Sequence, residues 1–227
     1  MILSKRMQMV VDLLPKHCKV ADVGCDHGFV SIYLCENEIS TGVIAMDVNE
    51  GPLKRAREHI LEHHLQDKIE IRLSDGLSAI RDGEIDSAVI AGMGGRLVIK
   101  ILSDRLELVK KLKSFVIQPQ SDLNLVRNTL NEWGFLIEEE NMVEEDGKYY
   151  PAMRVSFSGN NNHELSPVEA MYGPLLLASK NRVLFQFLNR EIDKYHQIEA
   201  QIKENGNSNV SVFERIQLIE TALHYFA

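Results

Sequence analysis

Two carboxylates, an imidazole and two glycines fall within residues 22–28, DVGCDHG, between two short apolar runs. A strand that ends near Val23 and a helix that begins near Phe29 would place this turn at the carboxyl end of a leading strand. Nucleotide-like ligands sit there in doubly wound sheets. Gly24 permits a tight turn and close approach of a ligand to the backbone, and Gly28 is expected to let the helix lie close to the strand. The dinucleotide fingerprint G-x-G-x-x-G is absent, because Asp26 stands where its second glycine would be. A carboxylate there repels a pyrophosphate, which disfavours an NAD-dependent oxidoreductase. It suits a ligand carrying an ammonium or a sulfonium group, and S-adenosylmethionine carries both. Asp22, Gly24, Asp26, His27 and Gly28 are the first candidates for holding such a cofactor.

The ends of the next apolar runs repeat the theme in order. Asp47 and Val48 close the second run, where a carboxylate can accept both ribose hydroxyls. Asp75 and Gly76 follow the third, where a carboxylate can accept from an adenine amino group. Ala91, Gly92 and Met93, with Gly94 and Gly95 behind them, follow the fourth and leave room beside a reactive methyl. Ordinary turns and caps would explain each glycine, but not three acids at successive strand ends. One motif points elsewhere: His59, Glu62 and His63 fit H-x-x-E-H, a zinc-peptidase pattern. No other cleft feature converges on that segment, so a surface helix rich in histidine is the better reading, and no metal is expected.

These residues need a scaffold, and the spacing of apolar residues supplies one. The runs at 19–23, 42–48, 68–73, 86–91 and 114–118 are rich in Val and Ile, as strands buried on both faces are. Between them, residues 52–65, 95–102 and 121–133 have helical spacing, with Pro52 opening the first and Ser121 as N-cap of the last. Alternating strands and helices imply right-handed crossovers and a parallel sheet. From about Gly134 two strand-like runs flank Asp146 and Gly147, a hairpin signal. The expected fold is therefore a doubly wound α/β sheet of five parallel strands with a terminal antiparallel hairpin. Residues 158–167, SGNNNHELSP, read as a linker. Beyond it lies a long helical pattern without glycine, with Leu184, Leu188, Tyr195, Ile198 and Ile202 along one stripe. A loop at 206–209 follows, then Val212, Ile216, Ile219, Leu223 and Phe226 at coiled-coil spacing. An antiparallel helical hairpin is expected, with a domain at 1–160 and a second at 161–227.

Composition narrows the setting. The chain has 227 residues and a formal net charge of −8, which argues against indiscriminate nucleic-acid binding. Residues 1–120 hold 16 Lys and Arg against 17 Asp and Glu, whereas residues 121–227 hold 9 against 16, so any basic surface belongs mainly to the first half. Three cysteines fit neither a disulfide framework nor a paired metal motif, and the amino-terminal segment lacks the features of a secretory signal. A reducing, cytoplasmic setting and a monomer are expected.

DVGCDHG, SDGL, IAGMGG and QPQSD, together with the helical tail, resemble the bacterial tRNA (adenine-22-N1)-methyltransferase family, TrmK, over nearly the whole chain. Family members often read DHAYLP where this chain has DHGFVS, residues 26–31. The resemblance implies a class I methyltransferase core, S-adenosylmethionine as donor, and a C-terminal helical domain that helps hold tRNA. Transfer to adenine N1 gives a cationic product, which a carboxylate can stabilise: Asp26 is the first candidate, with His27 behind it. A flipped adenine needs a flat surface, which Tyr149 and Tyr150 can supply, and Gln118 offers both a donor and an acceptor to the same pocket. Arg96 and Lys100, in a run of cations with Arg105, Lys110, Lys111 and Lys113 beside the AGMGG turn, are the expected phosphate contacts. Lys5 and Arg6 join them, as do Arg190 and Lys194 on the tail. Two other readings stay open: a methyltransferase for a small molecule or a protein, and a non-catalytic adaptor.

Overall fold

The computed structural model describes residues 1–159, 164–204 and 209–227. The chain runs α1 (Lys5–Asp12), β1 (Cys18–Val23), α2 (Phe29–Glu36), β2 (Ser40–Asp47), α3 (Glu50–Glu62), β3 (Ile69–Leu73), β4 (Ser87–Met93), α4 (Gly95–Asp104), α5 (Leu106–Val109), β5 (Ser114–Pro119), α6 (Leu123–Glu132), β6 (Phe135–Glu145) and β7 (Lys148–Phe157). Helices α7 (Pro167–Tyr172), α8 (Pro174–Ala178), α9 (Arg182–Glu204) and α10 (Val210–Leu223) complete it.

The strands form one sheet in the order β3-β2-β1-β4-β5-β7-β6. The first five are parallel, and β7 runs antiparallel to both β5 and β6. The sequence-based expectation of five parallel strands with a terminal hairpin is met. Alternation along each strand feeds two cores. Ala21, Ile44, Ile90 and Ile117 pack with α4 and α6 on one face, while Val20, Val43, Val89 and Val116 pack with α1, α2 and α3 on the other. Strand order reverses between β1 and β4, so the crevice of a doubly wound sheet opens at their carboxyl ends. The β6–β7 turn places Asp146 at φ 52° and Gly147 at φ 72°, the pair of left-handed residues that a two-residue hairpin requires.

The helices differ from expectation at several ends. Ser121 is not the N-cap of α6; Asp122 holds that position at φ 52° without a side-chain capping bond. The Ser121 hydroxyl instead donates to Asp122 and accepts from the Gly95 amide. The long C-terminal pattern is broken after α8, where Lys180 turns left-handed and the Asn181 carboxamide accepts from the Val183 and Leu184 amides, starting a new helix. Helix α7 begins inside the expected linker, because Ser166 and Glu169 form a capping box around Pro167. The expected boundary at 160/161 and most of the 206–209 loop lie outside the described residues. The C-terminal helices bury Leu184, Leu188, Ile219 and Ala222 together with Met142 from the hairpin.

A fully buried ion pair ties those helices to the sheet. The Arg127 guanidinium on α6 lies 2.9 Å from Glu140 on β6, both side chains 0% exposed. Arg127 also donates to the Ala170 and Met171 carbonyls at the end of α7, and Glu140 accepts from the Leu175 amide at the start of α8. Each charge thus meets the helix end whose dipole it complements.

Candidate active site

The turn after β1 is stitched to β2: the Gly24 and Cys25 amides donate to the Met46 carbonyl at 2.8 and 2.9 Å. Gly24 has φ 74°, and a Cβ built on it would lie 2.3 Å from Cε of Met93, so the end of β4 folds directly over this backbone. Gly28, at the same φ, caps α2. The expected closeness of α2 to the strand is not what its missing side chain provides. A Cβ there would meet Ala56 at 3.2 Å, so Gly28 allows α2 to approach α3.

The two acids of the turn have opposite environments. Asp22 is buried at the end of β1, where the Ser31 hydroxyl of α2 donates to it at 2.6 Å. Burial pushes its carboxyl up to about 6, against the opposing pull of the Ser31 bonds. Burial likewise raises the neighbouring Cys25 thiol, which argues against a thiolate there. Asp26 faces outward, 67% exposed, with Arg55 at 3.5 Å and His27 at 3.6 Å. His27 does not cap α2. Its ring stacks on Phe29 at 5.4 Å and on His59 at 5.7 Å.

A cleft of about 260 Å³ opens between this turn, the end of β4 and α1; Arg6, Asp22, Gly24, Asp26, Phe29 and Ala91 are among its walls. Arg6 comes from α1, which Ser4 starts by accepting from the Met7 amide. The Arg6 guanidinium lies over the Tyr150 ring at 5.2 Å and donates to Gln118 Oε1 at 3.4 Å. Gln118 is 0% exposed and also accepts from the Gly92 amide at 3.1 Å, while its Nε2 has no partner. A buried donor without a partner beside a cleft is a group waiting for an acceptor.

Other expected site residues are distributed as follows. Asp47, Val48, Asp75 and Gly76 lie at the carboxyl ends of β2 and β3, on the same sheet edge but outside this cleft; Asp47 accepts from the Asn49 amide at 2.9 Å. Gly76 lets α4 close in, since a Cβ would meet Ile101 at 2.9 Å. Tyr149 is not brought to the crevice. Successive residues of β7 face opposite ways, so Tyr150 meets Arg6 while Tyr149 packs edge-on against Phe187 of α9 at 5.2 Å. Arg190 donates to the Gly147 carbonyl, bracing the hairpin tip, and Lys194 pairs with Glu191. Arg96 is exposed, 3.5 Å from Asp122, and Lys100 pairs with Asp104 at 2.5 Å. The expected grouping of Lys110, Lys111 and Lys113 beside the AGMGG turn is wrong. Lys113 precedes β5 and binds Asp86, which precedes β4, so the seven residues of β4, about 20 Å, separate it from the crevice. His59 bonds the His27 carbonyl at 3.0 Å and His63 bonds Glu36 at 2.6 Å, so the two imidazoles serve different partners.

Sequence reasoning missed Ser31, whose link to Asp22 spans nine residues with no local signal. It also missed α1 as a wall of the cleft, although Ser4 ahead of a mixed apolar segment is a helix-start signal.

A family model described as TrmK: tRNA (adenine(22)-N(1))-methyltransferase matches residues 20–221. The tRNA (adenine(22)-N(1))-methyltransferase of Bacillus subtilis (strain 168) is 28% identical over 233 residues, covering 98% of each chain. A Streptococcus pneumoniae protein solved in complex with S-adenosyl-L-methionine superposes with TM-score 0.87 at 30% identity, over 98% of this chain and 100% of that one. M. capricolum TrmK, solved in complex with S-adenosyl-homocysteine, superposes with TM-score 0.86 at 26% identity over 100% of both.

Proposed function

The chain belongs to the tRNA (adenine(22)-N(1))-methyltransferase family, and from that premise we propose how its residues divide the work. It is an enzyme that uses S-adenosyl-L-methionine to methylate N1 of an adenine in tRNA, at position 22. The donor fits the cleft chemically. It has an ammonium, a sulfonium and a carboxylate, and the cleft offers Asp22, Asp26 and the guanidinium of Arg6. When bound, S-adenosyl-L-methionine supplies an electrophilic methyl group and departs as a neutral thioether.

The remaining work falls to the chain. Gly24 and Gly28 shape the backbone against which the amino-acid end rests, with Asp22 and His27 beside it, and Arg6 takes the carboxylate. Asp47 and Val48 receive the ribose, and Asp75 and Gly76 the adenine. Ala91, Gly92 and Met93 wall the space where the methyl is delivered. Adenine N1 carries a free lone pair at neutral pH, so no strong base is required and catalysis is mainly positioning. The target base must leave its stack to be reached, at about a few kcal/mol. Gln118 supports this reading most directly: Oε1 is held by Gly92 and Arg6, which leaves the buried, unpartnered Nε2 to donate to the incoming base. Tyr150 flanks the same space. Asp26, exposed at the rim, offsets the positive charge that develops on the methylated ring.

Residues 161–227 act as an accessory that holds the tRNA. We place the enzyme in the cytoplasm and take it to act as a monomer. The test is incubation with methyl-labelled donor and unmodified tRNA, followed by nucleoside mapping. Label in 1-methyladenosine at position 22 is expected; label confined to protein or small metabolites would refute the assignment.

A further inference from the structure

Ion pairing sorts the cations of this acidic protein. At the amino ends of the strands Lys111 pairs with Asp82 at 2.6 Å, Lys113 with Asp86 at 2.9 Å and Lys110 with Glu107 at 2.9 Å. Lys100 on α4, and Lys194 and Lys203 on α9, also have carboxylate partners. Exposed Lys5, Lys16, Lys68, Arg81, Lys148 and Arg182 have no such partner among the described residues but stand singly, whereas α3 groups its cations. Lys54 and Arg57 are exposed and, among the described residues, have no hydrogen bond or ion pair, and Arg55 reaches Asp26 only at 3.5 Å. Over Glu50–Glu62 the helix carries three cations and three acids, with the cations grouped at 54–57. They follow its first turn closely.

This helix is anchored to the rim of the crevice. His59, one turn beyond Arg55 on the same strip, donates through Nδ1 to the His27 carbonyl, 3.0 Å away. Its ring closes a stack with Phe29 at 5.1 Å and His27 at 5.7 Å, all three planes within 25° of one another. Phe29 is 44% exposed and lines the cleft. Arg55 thus stands beside an exposed aromatic stack at the rim of the cleft, with Lys54 and Arg57 on the same helix, a combination that matches a nucleic-acid strand: charge for the backbone, flat rings for a base.

We propose that the outer face of α3 is the docking surface for the tRNA strand next to the methylated adenosine, with Lys54, Arg55 and Arg57 receiving its phosphates and the Phe29–His27–His59 stack receiving a neighbouring base. The proposal rests on the tRNA reading given above. Lys54 and Arg57 also border a groove of about 610 Å³ between α3 and edge strand β3. Each phosphate neutralised releases counterions, so both affinity and its salt dependence report on these side chains.

The test compares Lys54→Glu/Arg57→Glu with Lys111→Glu/Lys113→Glu, which makes the same change in charge at the far end of the sheet. Binding of unmodified tRNA is followed by fluorescence anisotropy at several salt concentrations, and donor binding by calorimetry on the same preparations. The α3 pair is expected to weaken tRNA binding at least about tenfold and to lower the slope of log K against log salt by about 1–2. The far pair is expected to stay within about twofold, and donor affinity to hold in both. Lys54→Gln/Arg57→Gln, at solvent-exposed positions, is expected to lie between wild type and reversal. Wild-type affinity in the α3 reversal, or equal loss in the far pair, overturns the proposal. Failure of the wild-type protein itself to bind tRNA would overturn the functional reading and this surface with it.

Discussion

Replacing Arg127 by Met removes a buried charge from the junction between the sheet and the C-terminal helices. The substitution keeps most of the side-chain volume, so the effect is electrostatic rather than a cavity. Wild-type Glu140 has a 2.9 Å ion pair with Arg127 and one amide donor, Leu175; without Arg127 a fully buried carboxylate keeps the amide alone. Breaking one side of such a pair costs about 3–5 kcal/mol. In a chain of this size each kcal/mol moves Tm by about 2–4 °C, so a fall of about 10 °C is expected in a thermal melt. The Ala170 and Met171 carbonyls lose their donor too, which adds to the loss. Arg127→Met/Glu140→Leu removes both charges and is expected to recover most of that stability, giving a large coupling in the double-mutant cycle. If the single variant melts within 2 °C of wild type, or the double variant melts no higher than the single, the junction is not held by this pair.

Asp22 gives two opposed pH effects. Its carboxyl is held near 6 in the folded protein, above an ordinary carboxylate at 3.8, so its contribution to stability is present at low pH and fades as pH rises through about 6. Affinity for the cationic donor moves the other way, falling as pH drops below about 6, and calorimetry on Asp22→Asn should show that pH dependence flattened. Gly95→Ala drives a Cβ to 2.4 Å from the Ser121 carbonyl oxygen and is expected to destabilise by about 1–3 kcal/mol in urea unfolding. Gln118→Leu leaves the Gly92 amide and Arg6 without their acceptor, and kcat/KM for tRNA should fall about ten- to a hundredfold, with a much smaller change in donor affinity. Unchanged kcat/KM would remove Gln118 from the site.

The sheet was legible because β-branched runs buried on both faces leave a local signature, and the acids at the strand ends could be placed once the strands were. What escaped were features fixed by neighbours distant in sequence. Tyr149 and Tyr150 look equivalent in GKYYP, and only the pairing of β7 between β5 and β6 decides which of them meets Arg6. Lys113 and Arg96 stand close in the chain, yet a strand separates them in space. The break at Lys180 was hidden because Ser, Lys and Asn interrupt an apolar rhythm that resumes in phase, while the cap at Asn181 resets the helix axis. Unpaired cations cannot be recognised by counting charges, since pairing depends on which acid the fold brings alongside.

The hairpin of β6 and β7 is a party wall, one sheet thick, with tenants on either side. Tyr150 furnishes the room where the base is modified, and Tyr149 is papered over by the helical annex. Demolishing the annex would strip Tyr149 and Met142 bare and loosen the partition behind Arg6, so a truncated chain should suffer in its chemistry and not merely in its grip on RNA.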